Sequence, residues 1–219
     1  MIPGWTLDRP APGVVVAQPE RGFRYGAEAF WVAGFALEGG VPESAADLGT
    51  GSGVIALLLA SVGVDATGYE LREEWGPGWE VTLASTVVPG RVRFERADLA
   101  DTPPGRFALV VSNPPFFPRD TGPVAPDTWR AAARTESSAS LARFLAAGIA
   151  MLKPGGRMCV VVPREREGEI PEPARVVRIG ARRSLVEVRP DFRGVPGRES
   201  LTETDPRVVG WTSRFQGPR

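Results

Sequence analysis

The sequence DLGTGSG occupies residues 47–53, between two apolar runs of different character. Before it, Ala45-Ala46 favours a β-strand, and after it residues 54–60, VIALLLA, have the composition of a helix. The three glycines allow the backbone to turn sharply and to approach a ligand without a Cβ in the way. The first turn of the helix presents free N–H groups to acceptor atoms. This strand–turn–helix arrangement predicts a binding site for a cofactor that contains adenosine.

The glycine spacing is G-x-G-x-G, with the acid Asp47 two residues ahead of the first glycine. The dinucleotide fingerprint has the spacing G-x-G-x-x-G and does not match. The pattern resembles motif I of S-adenosylmethionine (SAM) methyltransferases, in which the acid lies beside the methionine end of the cofactor. A glycine-rich turn in another kind of α/β domain is the alternative interpretation. The resemblance implies SAM as the cofactor, bound by Asp47, Gly49, Thr50, Gly51 and Gly53.

Strand-like and helix-like runs alternate along the chain. We expect strands at 14–16, 64–69, 91–95, 107–112, 157–162, 175–179, 184–189 and 207–211. We expect helices at 27–37, 54–60, from about 77 and at 139–152. Residues 1–12, which are rich in proline and glycine, are expected to wrap a surface, and the tail from residue 190 to be largely a loop.

This alternation predicts an α/β fold with a mostly parallel central sheet of about seven strands, a terminal antiparallel hairpin, and helices on both faces. With the glycine motif, it resembles the Rossmann-like class I methyltransferases. We expect residues 1–44 to form an N-terminal segment and helix that pack on the cofactor pocket. Residues 45–219 would form the methyltransferase domain, in one globular unit overall.

Four polar side chains follow the carboxyl ends of predicted strands: Asp47, Glu70, Asp98 and Asn113. Ligands of open α/β sheets bind at this edge. A carboxylate can accept hydrogen bonds from both hydroxyls of a ribose, so we expect Glu70 to hold the cofactor ribose. Asp98 could accept the adenine amino group, although Asp101 lies close by in the sequence. The convergence of the four residues is the strongest structural argument for one site.

Composition excludes several kinds of chemistry. There is no histidine, which removes the commonest general base and metal ligand, and we expect no metal. Cys159 is the single cysteine, so a disulfide within the chain is excluded. The 26 basic and 26 acidic residues balance, so no global charge demands a nucleic-acid partner. With no apolar run of membrane-spanning length and no signal peptide, we expect a soluble, cytoplasmic protein without a membrane partner.

Residues 113–116 read Asn-Pro-Pro-Phe, directly after the apolar run 107–112. An exocyclic or amide nitrogen is a poor nucleophile because its lone pair is conjugated with the attached π system. The Asn113 side-chain oxygen and the Pro114 carbonyl could accept its two N–H groups, orient it and stabilise developing charge. Phe116 offers a flat face on which a base can stack. This chemistry needs no histidine.

Together, DLGTGSG and VSNPPFF resemble SAM-dependent amino-methyltransferases with an (N/D)-P-P-(F/Y/W) motif. A longer resemblance is to bacterial valine-tRNA adenine-N6-methyltransferase-like proteins. It comprises Gln18, GFRYGAEAF at 22–30, ARTE at 133–136, LKPGGR at 152–157 and RESLTETDPRVV at 198–209. The resemblance implies methylation of a ring-attached amino group in RNA, with tRNA the favoured partner. Asn113, Pro114 and Phe116 would be catalytic, and Phe116, Phe117, Arg119 and Arg134 would bind the substrate.

Three other functions stay open at this point. Protein glutamine N5-methyltransferases share the Asn-Pro-Pro-aromatic motif but usually carry an extra N-terminal helical domain, for which we expect no room. Guanine-N2 methyltransferases of ribosomal RNA share it too, usually after a duplicated domain. A binding module that has kept SAM but lost catalysis is the alternative from a different class. The sequence does not distinguish adenine, guanine and glutamine as acceptors, and it gives no oligomeric state.

Overall fold

A computed structural model describes residues 2–114 and 141–216. The strands are β1 (Trp5–Ala11), β2 (Val14–Pro19), β3 (Ser44–Leu48), β4 (Asp65–Glu70), β5 (Val92–Arg96), β6 (Phe107–Ser112), β7 (Leu152–Pro163), β8 (Arg175–Ile179), β9 (Arg183–Val188) and β10 (Gly197–Leu201). The α-helices are α1 (Ala27–Leu37), α2 (Val54–Ser61), α3 (Gly76–Ser85), α4 (Leu141–Met151) and α5 (Pro206–Ser213). Three 3₁₀-helical turns lie at Glu73–Trp75, Leu99–Asp101 and Arg164–Glu169.

Eight strands form one sheet in the order β10-β8-β9-β7-β6-β3-β4-β5. Neighbouring strands are parallel except at β9, which is antiparallel to both β7 and β8. The strands β1 and β2 form a separate antiparallel hairpin. Because β6, β3, β4 and β5 are parallel neighbours, their carboxyl ends open at the same edge of the sheet.

Helices cover both faces of the sheet. Successive side chains of a strand point to opposite faces. Val111 accordingly packs in the apolar cluster that includes α1, α2 and α5, whereas Val110 packs in the cluster that includes α4. Both valines are fully buried. The predicted α/β fold, with a mostly parallel sheet and helices on both faces, is confirmed.

The N-terminal segment differs from the prediction. Residues 5–11 form strand β1 of the hairpin, where the sequence favours an irregular wrapping segment. The strand forms because β2 pairs with it, so that Thr6 lies opposite Gln18. The many prolines and glycines of this segment obscure the pairing, since proline is tolerated at the edge of a sheet.

The C-terminal segment differs in two places. The tail contains β10, which pairs in parallel with β8 and extends the sheet beyond the predicted hairpin to eight strands. Residues 207–211, predicted as a strand, lie in helix α5. Asp205 caps this helix by accepting a hydrogen bond of 2.9 Å from the Arg207 N–H, and Pro206 occupies its first turn.

Other predictions hold closely. Helix α1 has the predicted bounds, and α3 begins at Gly76 with Pro77 in its first turn, where proline is tolerated. The strands β8 and β9 form the predicted hairpin around Gly180. No helix among residues 2–114 and 141–216 is long and apolar enough to cross a bilayer.

Candidate active site

The four predicted polar residues lie on neighbouring strands. Asn113 follows β6, Asp47 lies in β3, Glu70 ends β4, and Asp98 lies just after β5. These strands are adjacent in the order β6-β3-β4-β5. In the sheet, Leu48 at the end of β3 lies beside Ser112 of β6 on one side and Tyr69 of β4 on the other. The next residues of those two strands, Asn113 and Glu70, therefore lie on either side of the glycine loop. The topology therefore assembles these residues along one edge.

The glycine loop, residues 49–53, has the backbone conformation that its sequence predicts. Gly49, Gly51 and Gly53 have φ angles of 69°, 53° and 86°, a region that side chains with a Cβ rarely adopt. The N–H groups of Gly49 and Thr50 both donate to the carbonyl of Tyr69, at 2.9 and 3.1 Å. Gly53 caps helix α2 in the left-handed conformation. The loop is thus tied to β4 on one side and to α2 on the other.

Asp47 is 1% exposed and lies below the glycine loop. Its Oδ2 accepts hydrogen bonds from the Thr50 hydroxyl at 2.6 Å and from the Ala56 N–H at 3.3 Å. Its Oδ1 is buried and has no hydrogen-bond partner among the described residues. Burial raises the pKa of Asp47 to about 7, against the lowering effect of these two hydrogen bonds. A buried acceptor without a donor is costly, so this atom is a ready contact for a ligand.

Glu70 connects the end of β4 to the glycine loop. Its Oε2 accepts a hydrogen bond of 3.0 Å from the Gly51 N–H, and its Oε1 accepts one of 3.1 Å from the Arg72 N–H. Burial raises its pKa, while these backbone hydrogen bonds lower it. These two hydrogen bonds fix the orientation of the Glu70 carboxylate. Each oxygen has a second lone pair, so the group can still accept two more hydrogen bonds. The next residue, Leu71, is 46% exposed.

Asp98 is partly exposed, whereas Asp47 is buried. Its Oδ1 accepts a hydrogen bond of 3.0 Å from the Ala100 N–H and lies 3.3 Å from Nη2 of Arg143 in α4. The carboxylate caps the following 3₁₀ turn, a structural role that the sequence does not separate from ligand binding. Its predicted contact with adenine stays a prediction.

Asn113 is half-buried and Pro114 is buried, directly after β6. The preceding Ser112 is anchored, because its hydroxyl donates a hydrogen bond of 2.8 Å to the carbonyl of Leu48 in β3. The other predicted acceptor-site residues, Phe116, Phe117, Arg119 and Arg134, lie outside the described residues. The sequence also predicts a long polar loop at about 118–137, and this segment lies outside the described residues too.

One contact between an aromatic side chain and the glycine loop was not predicted from the sequence. The indole N–H of Trp79 donates a hydrogen bond of 2.8 Å to the carbonyl of Gly51. The Trp79 ring stacks on Phe94, with centroids 5.2 Å apart and planes at 23°. Because Gly-Pro-Gly at 76–78 would break or delay a helix, the sequence predicts a shorter helix from about residue 77, with Trp75 and Trp79 covering apolar surface. Both side chains are buried. The sequence feature that could have indicated this contact is a tryptophan directly after Gly-Pro-Gly, at position 79.

No group of three or more histidine, cysteine, aspartate or glutamate side chains within the described ranges 2–114 and 141–216 could hold a metal ion. Cys159 is fully buried in β7, and burial raises the pKa of its thiol. These residues therefore add no further chemistry to the edge described above.

Comparison with known proteins identifies the family. The sequence model of the methyltransferase small domain family matches residues 35–170. A tRNA1(Val) (adenine(37)-N6)-methyltransferase of Porphyromonas gingivalis is 32% identical over 165 residues, covering 72% of this chain and 64% of that protein. One of Trichodesmium erythraeum is 31% identical over 170 residues, covering 74% and 69%. The chain spans between about half and two thirds of the length of most curated relatives that it matches, and 64% of the one from Porphyromonas gingivalis.

Solved structures share the fold at low sequence identity. A putative class I S-adenosylmethionine-dependent methyltransferase from Listeria monocytogenes superposes with a TM-score of 0.59 at 14% identity, covering 87% of this chain and 71% of that one. A ribosomal protein L11 methylase from Lactobacillus delbrueckii has a TM-score of 0.52 at 19% identity, covering 72% and 77%.

The chain belongs to the methyltransferase small domain family. The predicted resemblance, the Rossmann-like class I fold and the methyltransferase class of the enzyme are confirmed. The family is one of methyltransferase domains, and SAM stays the cofactor predicted from the glycine loop.

Proposed function

We propose that this enzyme transfers the methyl group of SAM to the exocyclic N6 amino group of an adenine in tRNA. The observation that carries the proposal is the position of Asn113 and Pro114. They directly follow β6, the strand that neighbours β3. Because Ser112 of β6 lies opposite Leu48 of β3, they leave the sheet at the level where the glycine loop begins. The relatives named above are tRNA adenine-N6-methyltransferases, which supports adenine over guanine or glutamine.

The described residues fit the cofactor on two observations. The buried Oδ1 of Asp47 has no partner among them, and Gly51 and Gly53 have positive φ angles, which give the loop the sharp turn that the glycine motif predicts. Asp47 and the loop would hold the methionine end of SAM, and Glu70 the ribose hydroxyls. Leu71 offers an exposed apolar surface beside Glu70 for the adenine ring.

Asn113 and Pro114 would hold the acceptor amino group. When bound, SAM supplies an electrophilic methyl group, which leaves its sulfonium sulfur as the amino nitrogen attacks in line. The Asn113 Oδ1 and the Pro114 carbonyl accept the two N–H groups, which directs the nitrogen lone pair towards the methyl group. The transfer would form the N–C bond as the C–S bond breaks, and the methylated nitrogen would lose one proton to solvent. Phe116 would stack on the base and Phe117, Arg119 and Arg134 would contact the substrate, as predicted from the sequence.

Exposed arginines beside this site supply charge for the RNA backbone. Arg164 follows the end of β7, and Arg182 precedes β9. Both are exposed, and the Arg164 N–H donates a hydrogen bond of 2.9 Å to the Arg182 carbonyl. β7 is the direct neighbour of β6 and parallel to it, so Arg164 and Arg182 lie at the same edge of the sheet as Asn113. Arginine binds phosphate well because its guanidinium group forms two parallel hydrogen bonds.

The experiment uses purified protein, tritiated SAM, and separate small-RNA and protein fractions from cells lacking the gene, followed by nucleoside and peptide analysis. We expect label in N6-methyladenosine of the small-RNA fraction. Label in a guanine nucleoside would move the acceptor to guanine N2, and label in a protein band would move it to glutamine. Absence of label from both fractions, with SAM still bound, would overturn the proposal in favour of a binding module.

A further inference from the structure

The backbone of Gly51 is held from both sides. Its N–H donates to Oε2 of Glu70 at 3.0 Å, and its carbonyl accepts from the Trp79 indole at 2.8 Å. The ring of Trp75 lies against the same residue, since a Cβ built on Gly51 would be 3.6 Å from Trp75 Cζ2. The middle of the glycine loop therefore lies between the end of β4 and the start of α3.

The stacked pair of Trp79 and Phe94 contacts the loop at a second glycine. A Cβ built on Gly53 would lie 2.3 Å from Cζ of Phe94, so the Phe94 ring packs directly against the α-carbon of that residue. Trp79 is 8% exposed and cannot swing into solvent without exposing this stack. One aromatic pair thus contacts Gly51 by a hydrogen bond and Gly53 by van der Waals packing.

The β1–β2 hairpin fixes the helix that carries Trp79. A Cβ built on Gly78 would lie 2.3 Å from Cζ3 of Trp5, which shows how closely β1 approaches α3. The hydroxyl oxygen of Thr82 accepts a hydrogen bond of 2.9 Å from the Ala17 N–H of β2. The Thr86 hydroxyl bonds to both the N–H and the carbonyl of Val15, at 3.1 and 3.0 Å. The hairpin lies outside the family-matched residues 35–170.

We propose that Trp79 is a positioning residue for the cofactor and that the β1–β2 hairpin holds it in place. The indole N–H fixes the Gly51 carbonyl, the Gly51 N–H then fixes the Glu70 carboxylate, and that carboxylate is presented to the ribose. The arrangement explains the glycine at position 78, because a Cβ there would lie 2.3 Å from Cζ3 of Trp5. The inference rests on the proposed role of the glycine loop and Glu70 as the cofactor site.

The experiment compares Trp79→Phe with Trp211→Phe by calorimetric titration with S-adenosylhomocysteine. Trp79→Phe removes the indole donor but keeps an aromatic ring for the stack. Trp211 is the matched control: it is also buried, and its indole N–H donates to Oε1 of Glu38 at 2.7 Å, far from the site. We expect the Kd of Trp79→Phe to rise about five- to ten-fold, the scale of one lost hydrogen bond. The Kd of Trp211→Phe stays at the wild-type value.

A second readout separates positioning from loss of stability. Amide hydrogen exchange of Gly51 should accelerate in Trp79→Phe and stay unchanged in Trp211→Phe, at a temperature where both are folded. An unchanged Kd and unchanged exchange at Gly51 in folded Trp79→Phe would overturn the inference. Failure of the wild-type protein to bind S-adenosylhomocysteine would instead overturn the proposed cofactor site.

The contribution of the hairpin is tested with two neighbouring glycines. Gly78→Ala places a Cβ against Trp5, whereas Gly76→Ala meets nothing within 4 Å. Both changes add one methyl group in the first turn of α3. We expect Gly78→Ala to weaken binding of S-adenosylhomocysteine several-fold and Gly76→Ala to leave it unchanged. Equal affinities in the two variants would contradict a role for the hairpin.

Discussion

The hydroxyl of Thr50 donates a hydrogen bond of 2.6 Å to Oδ2 of Asp47, while Oδ1 of the same buried carboxylate has no partner within the described residues. Burial raises the pKa of Asp47 to about 7 from an ordinary value of 3.8. Between these two values the folded chain binds a proton that the unfolded chain has lost. This group therefore lowers the free energy of unfolding as pH rises from about 4 to about 7, by about 1.4 kcal/mol per pH unit.

Asp47→Asn should remove that dependence. We expect the free energy of unfolding of the variant, minus that of the wild type, to increase from pH 5 to pH 7 in urea titrations without cofactor. A difference that is the same at both pH values would show that Asp47 is already ionised at pH 5.

The bound cofactor should instead favour the ionised form of Asp47, because its positive charge stabilises the carboxylate. Wild-type affinity for SAM should rise with pH through about 7, with proton release measurable by calorimetry in two buffers.

Asn113→Ala should abolish methyl transfer and leave cofactor binding nearly intact. The lost acceptor no longer orients the amino group, and we expect kcat to fall at least about 10²-fold, as for removal of one preorganised hydrogen-bonding group. The matched control is Ser112→Ala, which removes the hydrogen bond to Leu48 at the same strand end and leaves Asn113 in place. This control should lower stability and retain turnover. Turnover surviving in Asn113→Ala would show that the acceptor site is elsewhere.

Gly53→Ala should abolish cofactor binding. Alanine at a φ of 86° is strained, and its Cβ would clash with the Phe94 ring. Gly63→Ala is the control, since Gly63 has a φ of 96° at the other end of α2 and open space around its Cβ position. Calorimetric titration should show normal affinity in Gly63→Ala, with only a loss of stability of about 1–3 kcal/mol. Equal loss of affinity in the two variants would mean that backbone strain alone, and not the Phe94 contact, controls the loop.

Glu38→Gln should destabilise the protein at neutral pH without affecting catalysis. Burial raises the pKa of Glu38, but hydrogen bonds from Arg207, Arg175 and Trp211 outweigh it and lower the pKa to about 2. A depressed pKa gives stability that is present above the unfolded value of 4.5 and is lost as pH falls towards 2. We expect a loss of roughly 1–3 kcal/mol at pH 7. The loss should shrink towards pH 3, and a constant loss between pH 7 and pH 3 would refute the assignment.

Changing both Arg164 and Arg182 to serine should weaken RNA binding and leave the Kd for SAM unchanged. Each lost phosphate contact should reduce the salt dependence of RNA affinity by about one unit of slope. Arg106→Ser is the control, because Arg106 is also exposed but precedes β6 at the opposite edge of the sheet. Filter binding at several salt concentrations measures both the RNA affinity and its salt dependence. An unchanged slope in the double variant would place the RNA elsewhere.

The sequence was informative where local pattern and topology agree. The spacing of DLGTGSG predicts both the loop conformation and the helix after it, because positive φ angles at Gly49, Gly51 and Gly53 are a local property. The common edge of Asp47, Glu70 and Asn113 follows from parallel strands alone. Whether these side chains bind the predicted groups stays a prediction.

Contacts distant in sequence were not predictable in the same way. The hydrogen bond from Trp79 to Gly51 depends on the packing of α3 against the β1–β2 hairpin. The first strand of that hairpin, WTLDRPA, carries no clear periodicity. In the segment 198–209, Glu199 and Arg207 pair with each other, and Arg207 with Glu38, so the resemblance there reflects packing of the sheet edge. Asp205-Pro206 was a usable helix-start signal, but two valines and a tryptophan favoured a strand.

The docking of α5 on α1 has a consequence for biosynthesis. Trp211 packs so closely on Gly34 that a Cβ there would lie 2.2 Å from it, and its indole bonds to Glu38, 173 residues earlier. A chain emerging from the ribosome completes α1 long before α5 is made. The apolar side of α1 around Phe35 therefore stays uncovered until synthesis reaches residues 206–213, and nascent chains expose a surface on which chaperones or other unfinished chains can bind.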